Sequence, residues 1–277
     1  MVLGATYADD SKLTLPTYFI SHGGGPWPYV PEMREGHERL AASLRAIPYQ
    51  LGRRPAAILM VSAHWETEGS FGVMSHPAPA MLYDYRGFPP HTYRIQYPAP
   101  GSPALADRVA QLLASAGLPA HLDPDRGFDH GTFVPAYVMY PHADVPIVQL
   151  SIDKNHDPVL HVAMGRALAP LRDENVLIMG SGLSYHNLRM LGPQGAEPSA
   201  LFDAWLQDAL RQPAAERLAL IEQWEHAPAA RIAHAREDHL IPLMTALGAA
   251  ENEPSTCVYH ENTAFGFITA SSFRFGR

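Results

Sequence analysis

Four short apolar runs constrain this chain more than any other feature: Thr17-Tyr-Phe-Ile20, Ala57-Ile-Leu-Met-Val61, Ile147-Val-Gln-Leu150 and Val176-Leu-Ile-Met179. Apolar runs that barely alternate with polar residues suit strands covered on both faces, as in a parallel or mixed sheet flanked by helices. Helical stripes lie between them. Leu105, Val109, Leu112 and Leu113 fall at i, i+4, i+7 and i+8, and Leu160, Met164, Leu168 and Leu171 repeat the spacing within residues 159–171. Leu201–Leu210, Arg217–Glu225 and one long helix over Ala230–Leu247 continue the pattern, while Cys257-Val-Tyr259 and Phe265–Thr269 read as later antiparallel strands. Strands alternating with helices predict an α/β fold, a mixed central β-sheet flanked by helices. The 26 prolines are scattered, and no repeat or low-complexity linker divides the chain. A single catalytic-sized domain over residues 1–277 is expected.

Charge and cysteine usage narrow the partners. Twenty Lys and Arg against 28 Asp and Glu give a net charge of −8, which speaks against nucleic acid and against an anionic membrane surface. The longest apolar run, Ala56–Val61, is far short of the roughly 20 residues that span a membrane. Met1–Pro16 carries Asp9 and Asp10 and has no signal-peptide core. One cysteine, Cys257, excludes an internal disulfide and any thiolate-rich zinc or iron–sulfur site, so the cytoplasm is the expected compartment. Fifteen histidines leave an imidazole-based metal site open.

Position separates those histidines. His22 follows the first strand in Ser21-His-Gly-Gly-Gly-Pro26, His64 the second in Ser62-Ala-His-Trp-Glu66, and His186 the fourth in Gly180-Ser-Gly-Leu-Ser-Tyr-His-Asn-Leu188. In open α/β sheets the ligand crevice lies outside the carboxyl ends of the strands, so three such side chains can converge from distant positions. Imidazole suits iron and zinc. One histidine at a strand end is usually structural; the recurrence at three ends is what favours a site. Gly23-Gly-Gly25 leaves room for close backbone approach and matches neither phosphate-binding glycine pattern. His239 is expected on the helix from Ala230, beside Glu237 and Asp238, either of which can add a carboxylate. His130 is expected on a loop, in Gly127-Phe-Asp-His-Gly131, where an imidazole suits proton transfer. His37, His76, His121, His142, His156, His161 and His226 sit among polar or loop residues and receive no role. Gly180-Ser-Gly182 is not a nucleophile elbow, so Ser181 does not indicate a serine hydrolase.

Taken in order, Ser21–Pro26, Ser62–Trp65, Gly87-Phe-Pro89, Tyr97–Pro103, Gly127–Gly131, Gln149–Ile152, Ser181–Arg189 and Glu237–Leu243 resemble the 4,5-DOPA extradiol dioxygenase family of class III ring-cleaving enzymes. The resemblance runs from about Phe19 to Ala249. It implies a mononuclear site for non-haem Fe(II), sometimes occupied by Zn(II). It implies His22, His64 and His239 as metal residues, His186 as a further ligand or the acid/base, and His130 near the substrate. The substrate it implies is a small aromatic diol, DOPA-like or a related catechol, opened with O₂ to a semialdehyde. Two departures stand out. Asp238 precedes His239 where members often have Glu, and Gly23-Gly-Gly25 stands where members commonly have Gly-Ser-Pro.

Two other readings use the same residues. A zinc-dependent hydrolase would have Glu66 help activate a water, and a non-enzymatic binding protein would use the pocket for a partner. Trp27, Trp65 and Phe133 are candidates to stack on an aromatic ring, although core packing is the commoner use. His234 is a candidate support for the site from behind. Whether the chain forms a homo-oligomer is left open by its sequence.

Overall fold

The computed structural model describes residues 14–277; the N-terminal residues on which the signal-peptide expectation mostly rests lie outside them. Among the described residues there are eight strands: β1 (Thr17–Ser21), β2 (Ala57–Thr67), β3 (Phe71–Met74), β4 (Ala120–Asp123), β5 (Ile147–Asp153), β6 (Val176–Gly182), β7 (Ser255–Ala264) and β8 (Ile268–Phe275). They form one mixed sheet in the order β4-β3-β5-β2-β6-β1-β8-β7. The centre, β5-β2-β6-β1, is parallel, and β8 and β7 extend it as an antiparallel hairpin. The four apolar runs of the sequence are these four central strands. The α/β fold with a mixed, helix-flanked sheet is what the alternation predicted.

Their side chains explain the near-continuous apolar pattern. Phe19, Leu59, Val61 and Ile178 belong to one buried layer. Tyr18, Ile20, Ile58, Met60, Leu177 and Met179 belong to the other. Period-two alternation is present, but both faces are dry. Helices α1 (Pro31–Arg34), α2 (Glu38–Leu51), α3 (Pro103–Ser115), α4 (His130–Met139) and α5 (Pro158–Leu168) precede β6. After it come α6 (Ala196–Arg211), α7 (Ala214–Glu222), α8 (Ala230–Ala233) and α9 (Ile241–Gly248). Residues of α3, α5, α6 and α9 cover the first face, and residues of α2 and α4 the second. Among the described residues no helix is long and apolar enough to cross a membrane.

Several expectations need correction. The single helix over Ala230–Leu247 is two short helices, α8 and α9, separated by a turn. Pro242 stands in the first turn of α9, where its missing N–H costs nothing; inside a continuous helix its ring would clash with the carbonyl four residues back. His239 therefore lies in the turn rather than on a helix face. The expected strand at Phe265–Thr269 is mostly the β7–β8 turn, with Phe265 at φ 52° and Gly266 at φ 89°. His130 is the first residue of α4, not a loop residue, because Asp129 caps that helix by accepting from the Thr132 N–H at 3.1 Å. His37, His156 and His161, expected among polar or loop residues, are buried.

Candidate metal centre

Three local devices bring distant histidines to one place. His22 is the first residue past β1, and its N–H donates to Gly182 O across the parallel pair. His64 lies inside β2, not beyond it. There the register slips: Val61 pairs with Leu150 and Glu66 with Ile152, so five steps along β2 match two along β5. The extra residues bend the strand and project His64 over the sheet's end. His239 arrives through the turn before α9, which docks on the end of β6 by a hydrogen bond from Leu183 N–H to His239 O at 3.0 Å. Gly182 makes that docking feasible, since a Cβ there would lie 2.0 Å from the His239 carbonyl oxygen.

The rings cluster tightly. The His22 centroid lies 5.0 Å from that of His64, 5.2 Å from that of His130 and 5.2 Å from that of His239. The His64 and His130 centroids are 4.0 Å apart, and His186 stacks on His239 at 3.4 Å. All five sequence-selected histidines thus meet at one cavity of about 340 Å³.

Each ring nitrogen Nδ1 at the centre faces an oxygen. That of His22 lies 2.8 Å from Gly23 O, that of His64 3.3 Å from Asp84 Oδ2, and that of His239 3.2 Å from Asp238 Oδ1. At His22 the donating Nδ1–H fixes the tautomer and leaves Nε2 with its lone pair exposed to the centre, the usual preparation of a metal-binding imidazole; at His64 and His239 the carboxylates lie within ion-pair distance of Nδ1. His22 Nε2 is buried without a hydrogen-bond partner, and His64 Nε2 faces His239 Nε2 at 3.2 Å. Buried, unpartnered and mutually facing lone pairs fit a cation between them. Burial first, then the neighbouring imidazoles, pushes His22 and His64 well below the ordinary histidine pKa. His239 is pushed down to about 4 for the same reasons, so at neutral pH these rings are uncharged donors.

His22, His64 and His239 can hold a metal ion, as can the overlapping groups His64–Asp84–His130 and His186–Asp238–His239. Of the two carboxylates beside His239, only Asp238 turns inward. Its Oδ1 lies 3.4 Å from His186 Nδ1, whereas Glu237 accepts from Arg231 at 2.6 Å. Burial opposes ionisation of Asp238, but hydrogen bonds from His186 and His239 outweigh it and hold the carboxyl well below its usual range.

Asp84 is the residue the sequence reading missed. Its Oδ1 accepts from both the backbone N–H and the ring Nδ1 of His130. Beneath it, Asp129 accepts from Ser62 Oγ, Thr132 N–H, Arg126 and Gln149, tying the bulge of β2 to the start of α4. The aromatic residues lining the cavity are Tyr85, Phe88, Tyr185 and Phe265. Trp27, Trp65 and Phe133 are buried elsewhere in the core. Glu66, the base of the hydrolase reading, accepts from Arg236 and is not among the residues lining the cavity. His234 is buried against Phe202 and Trp224, with Nε2 3.0 Å from Ser184 O, and so steadies the segment that carries His186.

Comparison with known proteins agrees with this geometry. The family model described as the catalytic LigB subunit of aromatic ring-opening dioxygenase matches residues 16–276. A 4,5-DOPA dioxygenase extradiol of Beta vulgaris is 39% identical over 264 residues, covering 94% of this chain and 96% of that protein. An Escherichia coli K12 protein of the same name is 38% identical over 274 residues, covering 96% of each. The crystal structure of an uncharacterized Escherichia coli K12 protein superposes with a TM-score of 0.77 at 33% identity, covering 95% of this chain and all of the other. By model match and near full-length identity, the chain belongs to the 4,5-DOPA extradiol dioxygenase family, among the LigB ring-opening dioxygenases.

Proposed function

We propose that the chain is a single catalytic unit that opens the ring of a catechol with O₂, next to the diol, to give a semialdehyde. The observation that carries this reading is the convergence of three Nε2 lone pairs, from His22, His64 and His239, at a cavity also lined by two further histidines. His22, His64 and His239 would hold the metal, with His186 as a further ligand or as a proton carrier beside it. Fe(II) is the metal for activity, and Zn(II) fits the same donors. Bound there, Fe(II) would bring the diol and O₂ to one centre and carry electrons between them.

The chain's own residues supply binding and proton movement. His130 lines the cavity, and Asp84 accepts its Nδ1–H at 2.8 Å, so Nε2 is the nitrogen that takes a proton from the diol. The same carboxylate stabilises the imidazolium that results, as in other carboxylate–histidine pairs. His186 stands to Asp238 in a similar relation, its Nδ1 3.4 Å from Oδ1, and can return a proton. The test is anaerobic loading with Fe(II), addition of a catechol, then air. O₂ uptake and a new visible absorbance are expected. Absence of both across a panel of catechols would overturn the reading.

A further inference from the structure

We infer that Arg126 is a positioning residue for the metal centre: its guanidinium, bonded to the His64 carbonyl and to the buried Asp129 carboxylate, sets where the His64 ring stands. The inference rests on the reading of His22, His64 and His239 as the metal-holding set, and it concerns a side chain that does not line the cavity. Arg126 lies in the loop after β4, where its backbone N–H donates to Asp123 Oδ1 at 3.0 Å. One side-chain nitrogen, Nη2, donates both to Asp129 Oδ2 at 2.6 Å and to His64 O at 3.3 Å. The Arg126 side chain is 14% exposed and that of Asp129 is fully buried.

His64 needs such a hold because the sheet does not supply one. The registers that pair β2 with β5 and with β6 both leave out Ala63, His64 and Trp65. Side chains take the place of the ladder and grip the His64 backbone at both of its polar groups. Ser62 Oγ accepts the His64 N–H at 3.2 Å and donates to Asp129 Oδ1 at 2.9 Å. Arg126 then joins the other Asp129 oxygen to the His64 carbonyl, which closes the loop. Asp129 meets four donors, Ser62, the Thr132 N–H, Gln149 and Arg126, and of these Arg126 alone carries a charge. A buried carboxylate requires a cation of this kind. Because Asp129 also caps α4, whose first residue is His130, the same unit ties the metal residue to the proposed proton carrier.

Trp65 completes the grip. The guanidinium carbon of Arg126 lies over its ring, 4.8 Å from the centroid, so the planar cation rests on an aromatic face. Gly72 on β3 makes room for that ring, since a Cβ there would lie 2.4 Å from Trp65 Cζ2. Trp65 is thus a platform for Arg126 and not for a substrate ring. A lysine does not reproduce the arrangement: it is one atom shorter and has no plane to lay on the indole.

Arg126→Lys tests the device, because it keeps a cation beside Asp129 while losing the reach to His64 O. Zn(II) affinity is measured by calorimetry on the metal-stripped full chain, at a temperature where wild type and variant are both folded. A fall of about 10–100-fold is expected, the range for groups that orient metal ligands. The visible bands of the Co(II)-loaded protein, which follow the arrangement of the ligands, should shift while the far-UV circular dichroism stays as in the wild type. Arg126→Met removes the charge as well and should weaken Zn(II) binding at least as much; if it does not fold, Arg126→Lys decides alone. Wild-type Zn(II) affinity or wild-type Co(II) bands in Arg126→Lys would overturn the inference whatever happens to stability in urea, because Arg126 would then only hold the fold together. If the wild type itself binds no Zn(II), the metal reading and the inference fall together.

Discussion

Asp84 holds His130 by two hydrogen bonds to a single oxygen, from the backbone N–H at 3.1 Å and from ring Nδ1 at 2.8 Å, while its other oxygen lies 3.3 Å from His64 Nδ1. One carboxylate therefore orients both a proposed proton carrier and a proposed metal ligand. Burial opposes its ionisation, but the His130 hydrogen bond outweighs burial and keeps it charged. Asp84→Asn preserves the shape and removes the charge that stabilises imidazolium. A fall in kcat of about 10²-fold or more is expected, with a smaller change in KM, because a positioned proton-transfer group contributes about 10²–10⁴-fold. Steady-state kinetics with a shifted pH profile would confirm the role. An unchanged profile with intact kcat would remove it.

Metal binding gives a second test that does not depend on turnover. His22 Nε2 is buried and unpartnered, and its Nδ1 is bound to Gly23 O. His22→Ala removes one lone pair from a three-histidine set, so stoichiometric Zn(II) binding in calorimetry should be lost while the fold persists. His142→Ala, at an exposed position outside the cluster, should bind as the wild type does. Retained Zn(II) affinity in the His22 variant would place the metal elsewhere.

What the sequence disclosed and what it hid have physical causes. β1, β2, β5 and β6 were legible because both faces are buried, which leaves an apolar run with few polar interruptions. β4 was not, since its residues are half-buried or exposed. α4 has no amphipathic stripe, for nearly every residue of it is buried, and it contains Pro135. The five histidines could be selected by placement, but Asp84 could not. It sits on a loop 46 positions from His130, and no local spacing connects a loop carboxylate to a helix N-terminus. The adjacent Gly87-Phe-Pro89 segment was part of the family pattern and was the available pointer to it. Pro242 was the overlooked sign that a helix could not run unbroken to Leu247.

The docking of the His239 turn on β6 predicts a sharp glycine requirement. A Cβ at Gly182 would meet His239 O at 2.0 Å, whereas one at Gly36 would meet nothing within 4 Å. Gly182→Ala should cost about 1–3 kcal/mol in urea unfolding, the usual range for overpacking, and should weaken Zn(II) binding by displacing His239. Gly36→Ala should change neither. If both variants behave alike, the close approach does not position the turn.

Acid sensitivity should come in part from His161, which is remote from the metal cluster. It is fully buried; its Nδ1 lies 2.7 Å from Asp157 O as donor, and its Nε2 accepts the Asp153 N–H at 3.0 Å. An imidazolium cannot accept that second bond. Burial pushes its pKa down to about 4, and the hydrogen bond to Asp157 O does not restore it. The unfolded chain, titrating near 6.5, binds a proton that the folded chain refuses, so stability is full above about pH 6.5 and declines as pH falls toward 4. The total loss from this one residue is about 3 kcal/mol, and below pH 4 it grows no further. His161→Gln removes the titration and should flatten the slope of unfolding free energy between pH 6.5 and 4 by up to about 1.4 kcal/mol per pH unit. Urea unfolding of both proteins, metal-stripped so that the cluster is in the same state in each, measures the difference. Equal slopes would mean that His161 takes up its proton in the folded state without losing the Asp153 hydrogen bond.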